Sequence, residues 1–306
     1  MQNVSNLESY DTQALKLLLK KAISDKQEAT QKDFLKFTKT VWPDFIEGKH
    51  HQIYAEKLNR IANGELKRLI VNMPPRHTKS EFASHLFPAF FMGRNPKAKL
   101  IQTTHTGELA VSFGRKTKNL IESDEYEKVF PEVRLAADSK AAGRWQSNHG
   151  GEYFAAGVGG AITGRGADLL IIDDPHSEQW YTSGPRQRLQ PGGAIVVVMT
   201  RWSIKDLTGR LIEAQGKDEN ADQWEIVEFP AILPSGKPMW SGFWNIQALE
   251  QVKASIPLKK WNAQWMQAPT SEEGALIKRD WWRTWEGSNI PPGLEFIIQS
   301  YDTAFS

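Results

Sequence analysis

The stretch LIVNMPPRHTKSE, Leu69–Glu81, decides how this chain of 306 residues is read. An apolar run ends in a turn, and the turn ends in Lys79-Ser80. That is the layout of a phosphate-binding loop, G-x-x-x-x-G-K-S/T, between a buried strand and the start of a helix. Such loops hold phosphate with backbone N–H groups and a helix N-terminus. A lysine reaches the outer phosphates and a hydroxyl holds Mg²⁺. Neither loop glycine is present: Met73 and Thr78 stand in their places. Pro74-Pro75 would stiffen the loop, and Arg76 and His77 add donors. A plain strand-to-helix turn with an exposed lysine and serine would look the same in this stretch alone.

The surroundings fit the first reading. Strand-length apolar runs alternate with helical stretches: RLIVNM (68–73), KLIQTTH (99–105), EYFAAGV (152–158), DLLIIDD (168–174), AIVVVMT (194–200) and WEIVEFP (224–230). Several are nearly all apolar, as strands covered on both faces must be. Helical segments at 80–93 and 107–123 separate the first three. The pattern predicts an α/β fold with a doubly wound, mainly parallel sheet. Before it, spacing near 3.6 predicts helices in 14–22, 32–42 and 50–64, the second stopped by Pro43.

The run LLIIDDPHSE (169–178) places two aspartates at the carboxyl edge of a buried strand, where open α/β sheets bind ligands. One such carboxylate can hold Mg²⁺ and a neighbour can orient an attacking water. A polar turn after a strand explains the pair equally well in isolation. Lys79-Ser80 after one strand and Asp173-Asp174 after another form a more specific combination. AIVVVMTRWS adds Thr200-Arg201-Trp202 at the same edge, either sensing phosphate or simply ending a strand with a packing indole.

Composition narrows the field. Charge is nearly balanced, with 38 Lys and Arg against 36 Asp and Glu, so any nucleic-acid contact must come from local patches. GRKTKNL (114–120) and PRQRL (185–189) are the candidates, with solvated surface charge as the plain explanation of each. There is no cysteine, which removes disulfides, thiolate catalysis and cysteine-held zinc. The seven histidines lack metal-ligand spacing, although His77 and His176 flank the two phosphate-facing stretches. No apolar run is long enough to span a membrane, and the polar start lacks a signal-peptide core. Eight of twelve tryptophans lie between Trp224 and Trp285, more in keeping with packing than with base stacking.

Taken in order, MPPRHTKSEFAS, TTHTGELAVSFGRKTKNLI, GVGGAITGRGADLLIIDDPHS, PRQRLQPGGAIVVVMTRW, DLTGRLI and IIQSYDTAFS resemble the large terminase subunit of tailed bacteriophages. Many sequences of that family carry PPRHGKS, so loss of the first glycine is within its pattern; Thr78 departs further. The resemblance implies a P-loop NTPase sheet of the ASCE-like type with N-terminal helices and the first strand of a ribonuclease-H-like domain. Its divisions would fall at 1–64 (helical region), 65–257 (ATPase), 258–294 (linker) and 295–306 (start of a nuclease domain cut short).

The roles it implies are specific. ATP is held by Pro75, Arg76, His77, Thr78, Lys79 and Ser80, with Thr200 and Arg201 in the coupling motif. Ser80 and Asp173 hold Mg²⁺. Asp174 or Glu178 polarises the attacking water, and Arg76 acts as an arginine finger or γ-phosphate sensor. Gln52 is a candidate for adenine contact and Arg165 for phosphate or DNA, each explained as well by an ordinary polar surface position. Asp302 matches the first ligand of a divalent metal pair for an endonuclease that this chain would not complete.

The implied activity is ATP hydrolysis driving double-stranded DNA into a capsid. The implied partners are DNA, a portal protein, a small terminase subunit and further copies in a ring, with no membrane. The implied place is the cytoplasm of the infected bacterial host, and transiently the procapsid portal vertex. A nucleotide-binding assembly module without turnover and a helicase-like ATPase are the alternatives. Relatives carry a longer segment, with a helix, after the Asp-Asp strand. Here 175–193 must supply the crossover to the next parallel strand, with Gly184, Pro185, Pro191, Gly192 and Gly193 disfavouring a helix.

Overall fold

The computed structural model describes residues 2–139, 141–157, 164, 166–175 and 185–270. Met1–Thr270 form one compact unit; Ser271–Ser306 are a separate unit outside the described residues. The expected nuclease strand with Asp302 falls there, and Arg165 and Glu178 also lie outside the described residues.

Among the described residues seven strands form one sheet: β1 (Arg68–Asn72), β2 (Lys99–Thr104), β3 (Arg144–Gln146), β4 (Glu152–Ala156), β5 (Ala167–Asp173), β6 (Leu189–Met199) and β7 (Glu225–Glu228). Their order is β3-β4-β2-β5-β6-β1-β7. Every neighbouring pair is parallel except β3 with β4. The six apolar runs of the sequence all become strands of this sheet. The short antiparallel edge β3, with only Trp145 buried, carries too little periodicity to be foreseen.

Strand alternation splits the apolar runs between two cores. Leu69, Val71, Leu169, Ile171, Val196 and Val198 face one side and Ile70, Leu170, Ile172, Ile195, Val197 and Met199 the other. After α1 (Gln2–Lys32), the first side is covered by α2 (Phe34–Val41), α3 (Lys49–Ala62), α4 (Phe87–Arg94) and α6 (Asp124–Val129). The second takes Leu207 and Leu211 of α7 (Leu207–Lys217). Coverage on both faces makes the sheet doubly wound.

α2 shows how the first side is built. Asp33 caps it, accepting from the N–H groups of Leu35 and Lys36. It ends at Trp42, before Pro43. Its Phe34 and Phe37 are fully buried against Phe82, Phe87 and Phe90. Truncating either ring would cost ~3–5 kcal/mol.

The helix after the 73–80 loop opens as a π turn, Glu81–Leu86, before α4. Pro88 has no N–H to give back to Ser84, so the turn widens and Phe87 N–H bonds Phe82 C=O instead. The Thr117 hydroxyl, on α5 (Gly107–Ile121), lies against the carbonyls of Ser84 and His85 at 3.5 and 3.2 Å.

β6 begins at Leu189, earlier than the apolar run at 194–200 indicated. Pro191 and the two glycines after it are tolerated in its first half, beside a register irregularity at Ala167/Leu169. The crossover is therefore residues 174–188, of which 185–188 form a 3₁₀ turn. It leads to a strand directly beside β5.

A third small core holds Ala231, Leu249, Trp261 and Trp265. It gathers α8 (Ile246–Ser255), the short helix α9 (Leu258–Lys260) and a π turn at Trp261–Trp265.

Candidate functional site

β6 lies between β1 and β5, so three strand ends meet at one edge: Asn72 opposite Met199, and Asp173 opposite Val198. The sequence leaves each of these strands through polar residues, and the sheet gathers them.

The loop after β1 is tied to the sheet by Met73 N–H, which donates to Met199 C=O at 3.2 Å. Two of its residues are left-handed without being glycine: Arg76 at φ 57° and Thr78 at φ 69°. For a β-branched residue this is a rare conformation, and it costs ~1–3 kcal/mol. Thr78 occupies the second glycine position of the phosphate-loop pattern, so the backbone keeps a glycine-like turn although the residue has changed. Thr78 C=O then accepts from Phe82 N–H at 2.9 Å and the helix begins. Lys79 is 8% exposed. Its carbonyl accepts the Tyr54 hydroxyl at 3.3 Å.

Lys79 Nζ lies 2.8 Å from Asp174 Oδ2. Asp174 Oδ1 accepts the N–H of Thr200 at 3.0 Å, and Asp174 is itself left-handed at φ 45°. Its neighbour Asp173 is 2% exposed and accepts two hydroxyls, Ser80 Oγ at 2.9 Å and Ser84 Oγ at 2.6 Å. Burial and the adjacent Asp174 push the Asp173 carboxyl up to about 7, with Lys79 and the two serines pulling the other way. Thr200 closes the arrangement, its hydroxyl donating to Met73 C=O at 3.1 Å. Lys79, Ser80, Asp173, Asp174 and Thr200 thus form one connected cluster across three strand ends.

The other expected site residues are placed differently. Arg201 turns into the protein: its guanidinium reaches Asp206 at 3.0 Å and Glu228 at 3.1 Å. Arg76 is exposed, with no hydrogen bond or ion pair to a described residue. Pro75 contributes its carbonyl, which accepts His77 Nδ1–H at 2.8 Å. That leaves the buried His77 Nε2 without a hydrogen-bond partner among the described residues. Gln52 donates to Glu47 at 2.7 Å on the surface. Of the basic stretches, Lys116 pairs with Glu81 and Arg186 with Asp222, while Arg115 is exposed.

Four contributors escaped the sequence reading. Ser84 lies four residues after Ser80, a spacing that puts both hydroxyls on one helix face, and that signal was available. Tyr54 and His51 come from α3 and reach the loop only through tertiary packing. Gln267 is left-handed and buried, and its Oε1 accepts the N–H of Arg201 at 3.1 Å. Nothing in the local sequence marks it.

The donor chemistry at Ser80 and Asp173 is hard oxygen, one hydroxyl and one carboxylate, which suits Mg²⁺ shared with phosphates. Among the described residues no three His, Asp or Glu side chains gather to hold a metal ion by themselves. No described helix is long and apolar enough to cross a membrane.

Together these features define an α/β protein with a connected cluster of lysine, hydroxyl and carboxylate groups at the carboxyl edge of its sheet. No family model matches the sequence, and no curated protein does. Among solved structures it is similar to the ATPase domain of the Thermus phage P74-26 large terminase, an arginine-to-alanine mutant. That match has a TM-score of 0.50 and 13% identity over 67% of this chain and 90% of the other. The large terminase of bacteriophage HK97 gives 0.47 and 10%, over 69% of this chain and 48% of that one. A large terminase from a thermophilic bacteriophage, in complex with ADP, gives 0.47 and 9%, over 70% and 52%. The chain thus spans about half the length of the latter two. At these identities the likeness is one of fold: the chain carries the fold of a terminase ATPase domain.

Proposed function

We propose that this chain is the ATPase part of a phage DNA-packaging motor, a large terminase subunit that hydrolyses ATP to drive double-stranded DNA into a capsid. One observation carries the reading. The 73–80 loop keeps a left-handed turn at Thr78 and delivers Lys79 and Ser80 to the two aspartates that end β5. The fold likeness to a large terminase ATPase domain supports it.

Backbone N–H groups at the start of the helix after Lys79 would cradle the β- and γ-phosphates. Lys79 would exchange Asp174 for phosphate oxygen, placing positive charge where negative charge gathers in the transition state. Ser80 and Asp173 would hold Mg²⁺, which neutralises phosphate charge when bound. Water would attack the γ-phosphorus as its bond to the ADP oxygen breaks, and the water proton would pass to an oxygen of the departing phosphate or to solvent. Asp174, released from Lys79, or Glu178 would orient that water. Asp174 also grips the N–H of Thr200, so a change in its partner is transmitted to the end of β6. Arg76, exposed in the loop, would meet phosphate from the same or a neighbouring copy.

The wider reading follows from the resemblance. A ring of copies on a portal protein, fed by a small terminase subunit, would act at the procapsid vertex in the bacterial cytoplasm. Asp302 would begin a two-metal nuclease in a longer chain. DNA contact would be mainly to phosphates and weaken with salt.

The test is Mg²⁺-dependent ATP hydrolysis by the purified chain, with and without double-stranded DNA, beside Lys79→Ala. Loss of ~100-fold or more in the variant is expected. Turnover that persists in Lys79→Ala would remove this loop as the site. Lys79-dependent ADP binding without turnover in the parent would favour the non-hydrolysing module.

A further inference from the structure

Thr78 holds a backbone conformation that the phosphate-loop pattern assigns to glycine, and its hydroxyl is engaged from outside the loop. His51 Nε2 lies 2.7 Å from Thr78 Oγ1, and Thr78 Oγ1 lies 2.5 Å from His77 C=O. The donors can be assigned. Gly48 N–H donates to His51 Nδ1 at 2.8 Å, so Nδ1 is the acceptor and Nε2 carries the hydrogen. Nε2–H therefore donates to Thr78 Oγ1, and the Thr78 hydroxyl donates to His77 C=O. The relay runs in one direction: Gly48 N–H, His51, Thr78, His77 carbonyl.

The imidazole in this relay is fixed. His51 is fully buried at the third position of α3, with ring centroids of Phe45, Trp240 and Phe82 at 4.7, 5.0 and 5.1 Å. Burial, with His50 and His77 alongside, holds it neutral by pushing it down to about 2.

We propose that His51 is a positioning residue of the phosphate loop: its hydrogen bond holds Thr78 left-handed, the conformation a glycine would adopt unaided. The loop thereby keeps its amides aimed at phosphate with a side-chain clamp in place of a glycine. This rests on the reading that the loop holds nucleotide phosphates. Arg76, the loop's other left-handed residue, is exposed and lacks such a clamp among the described residues.

The experiment is a cycle on the full chain: parent, His51→Phe, Thr78→Gly and the double variant. Phenylalanine keeps the ring among its aromatic neighbours and removes both hydrogen bonds. MgADP affinity is read by titration, and thermal midpoints are read without nucleotide. His51→Phe is expected to weaken ADP binding about tenfold or more beside Thr78, and less than about threefold in the Thr78→Gly background. A role in packing alone would give equal losses in both backgrounds, and that result overturns the proposal. Thr78→Val, which keeps the β-branch and replaces the hydroxyl with a methyl, should match the loss from His51→Phe and add nothing to it; additive losses also overturn the clamp. Should the parent bind no ADP, the nucleotide reading fails. The clamp is then judged on thermal midpoints, where an equal fall from His51→Phe in the two backgrounds rejects it and a larger fall beside Thr78 upholds it.

Discussion

Two loops leave neighbouring strands at the carboxyl edge, residues 73–80 after β1 and 200–206 after β6, and each carries one buried long cation, Lys79 in the first and Arg201 in the second. Lys79 has a single carboxylate partner among the described residues, Asp174, which is about a third exposed (31%). Arg201 is held by Asp206 and Glu228, and Ser203 C=O lies 3.4 Å away. Asp206 is just as buried, and it also caps α7 by accepting Gly209 N–H at 2.9 Å. Lys79 can therefore change partners at small cost, while Arg201 is bound into the frame. A polar residue at a strand end faces a ligand only when the protein has not already satisfied it.

The sharpest way to break this contrast is to truncate both cations. Arg201→Ala strands Asp206 as a buried, unpaired charge and should lower unfolding free energy by ~3–5 kcal/mol in a denaturant titration. Lys79→Ala, losing a pair at a partly exposed carboxylate, should change it by about 1 kcal/mol or less. Similar losses in the two variants would show that Lys79 is as much a part of the frame as Arg201.

Acid should act on the first loop and its support. His50, His51 and His77 are buried, and desolvation pushes them down to about 3, 2 and 4. They stay neutral in the folded chain and gain protons near 6.5 when it unfolds. Between pH 6.5 and 4 the unfolded state binds more protons at these three, so stability falls as pH falls, by ~1.4 kcal/mol per unit per group. Asp173, pushed up to about 7, binds its proton in the folded state and opposes this over roughly the same window. Three groups against one leave a net loss toward acid. The thermal midpoint should drop from pH 7 to pH 5, and His50→Phe should flatten that slope. A slope unchanged by His50→Phe would mean His50 is protonated in the fold.

How far the sequence reaches follows from where each signal is stored. The sheet was legible because burial on both faces demands nearly continuous apolar runs, which β1, β5 and β6 carry, while β2, β4 and β7 keep shorter ones between helical stretches. Lys79, Ser80, Asp173, Asp174 and Thr200 were legible as residues at strand ends, and the strand order brings them together. His51 and Tyr54 were not, since they reach the loop from α3 through the packing of Phe45 and Phe82. Arg201 shows the reverse difficulty. Its strand-end position suggests a ligand contact, but Asp206, five residues on, takes up its charge. The left-handed turn at Thr78 was hidden because Thr disfavours it, and only a tertiary hydrogen bond makes it legible.

Trp202 gives the finest division within the second loop. Its backbone N–H is anchored to Asp206 at 2.9 Å, yet the residue is 52% exposed. One residue from the buried arginine, the chain has turned its largest side chain outward. Removing an indole that is half exposed should alter unfolding free energy by about 1 kcal/mol or less, well below the loss expected for Arg201→Ala. The check is the same denaturant titration used for Arg201→Ala, run at two protein concentrations. A loss near 2 kcal/mol that grows with concentration would mean the indole is covered in solution by a second copy of the chain. The second loop would then divide between an arginine that secures the fold and a tryptophan that meets the next subunit.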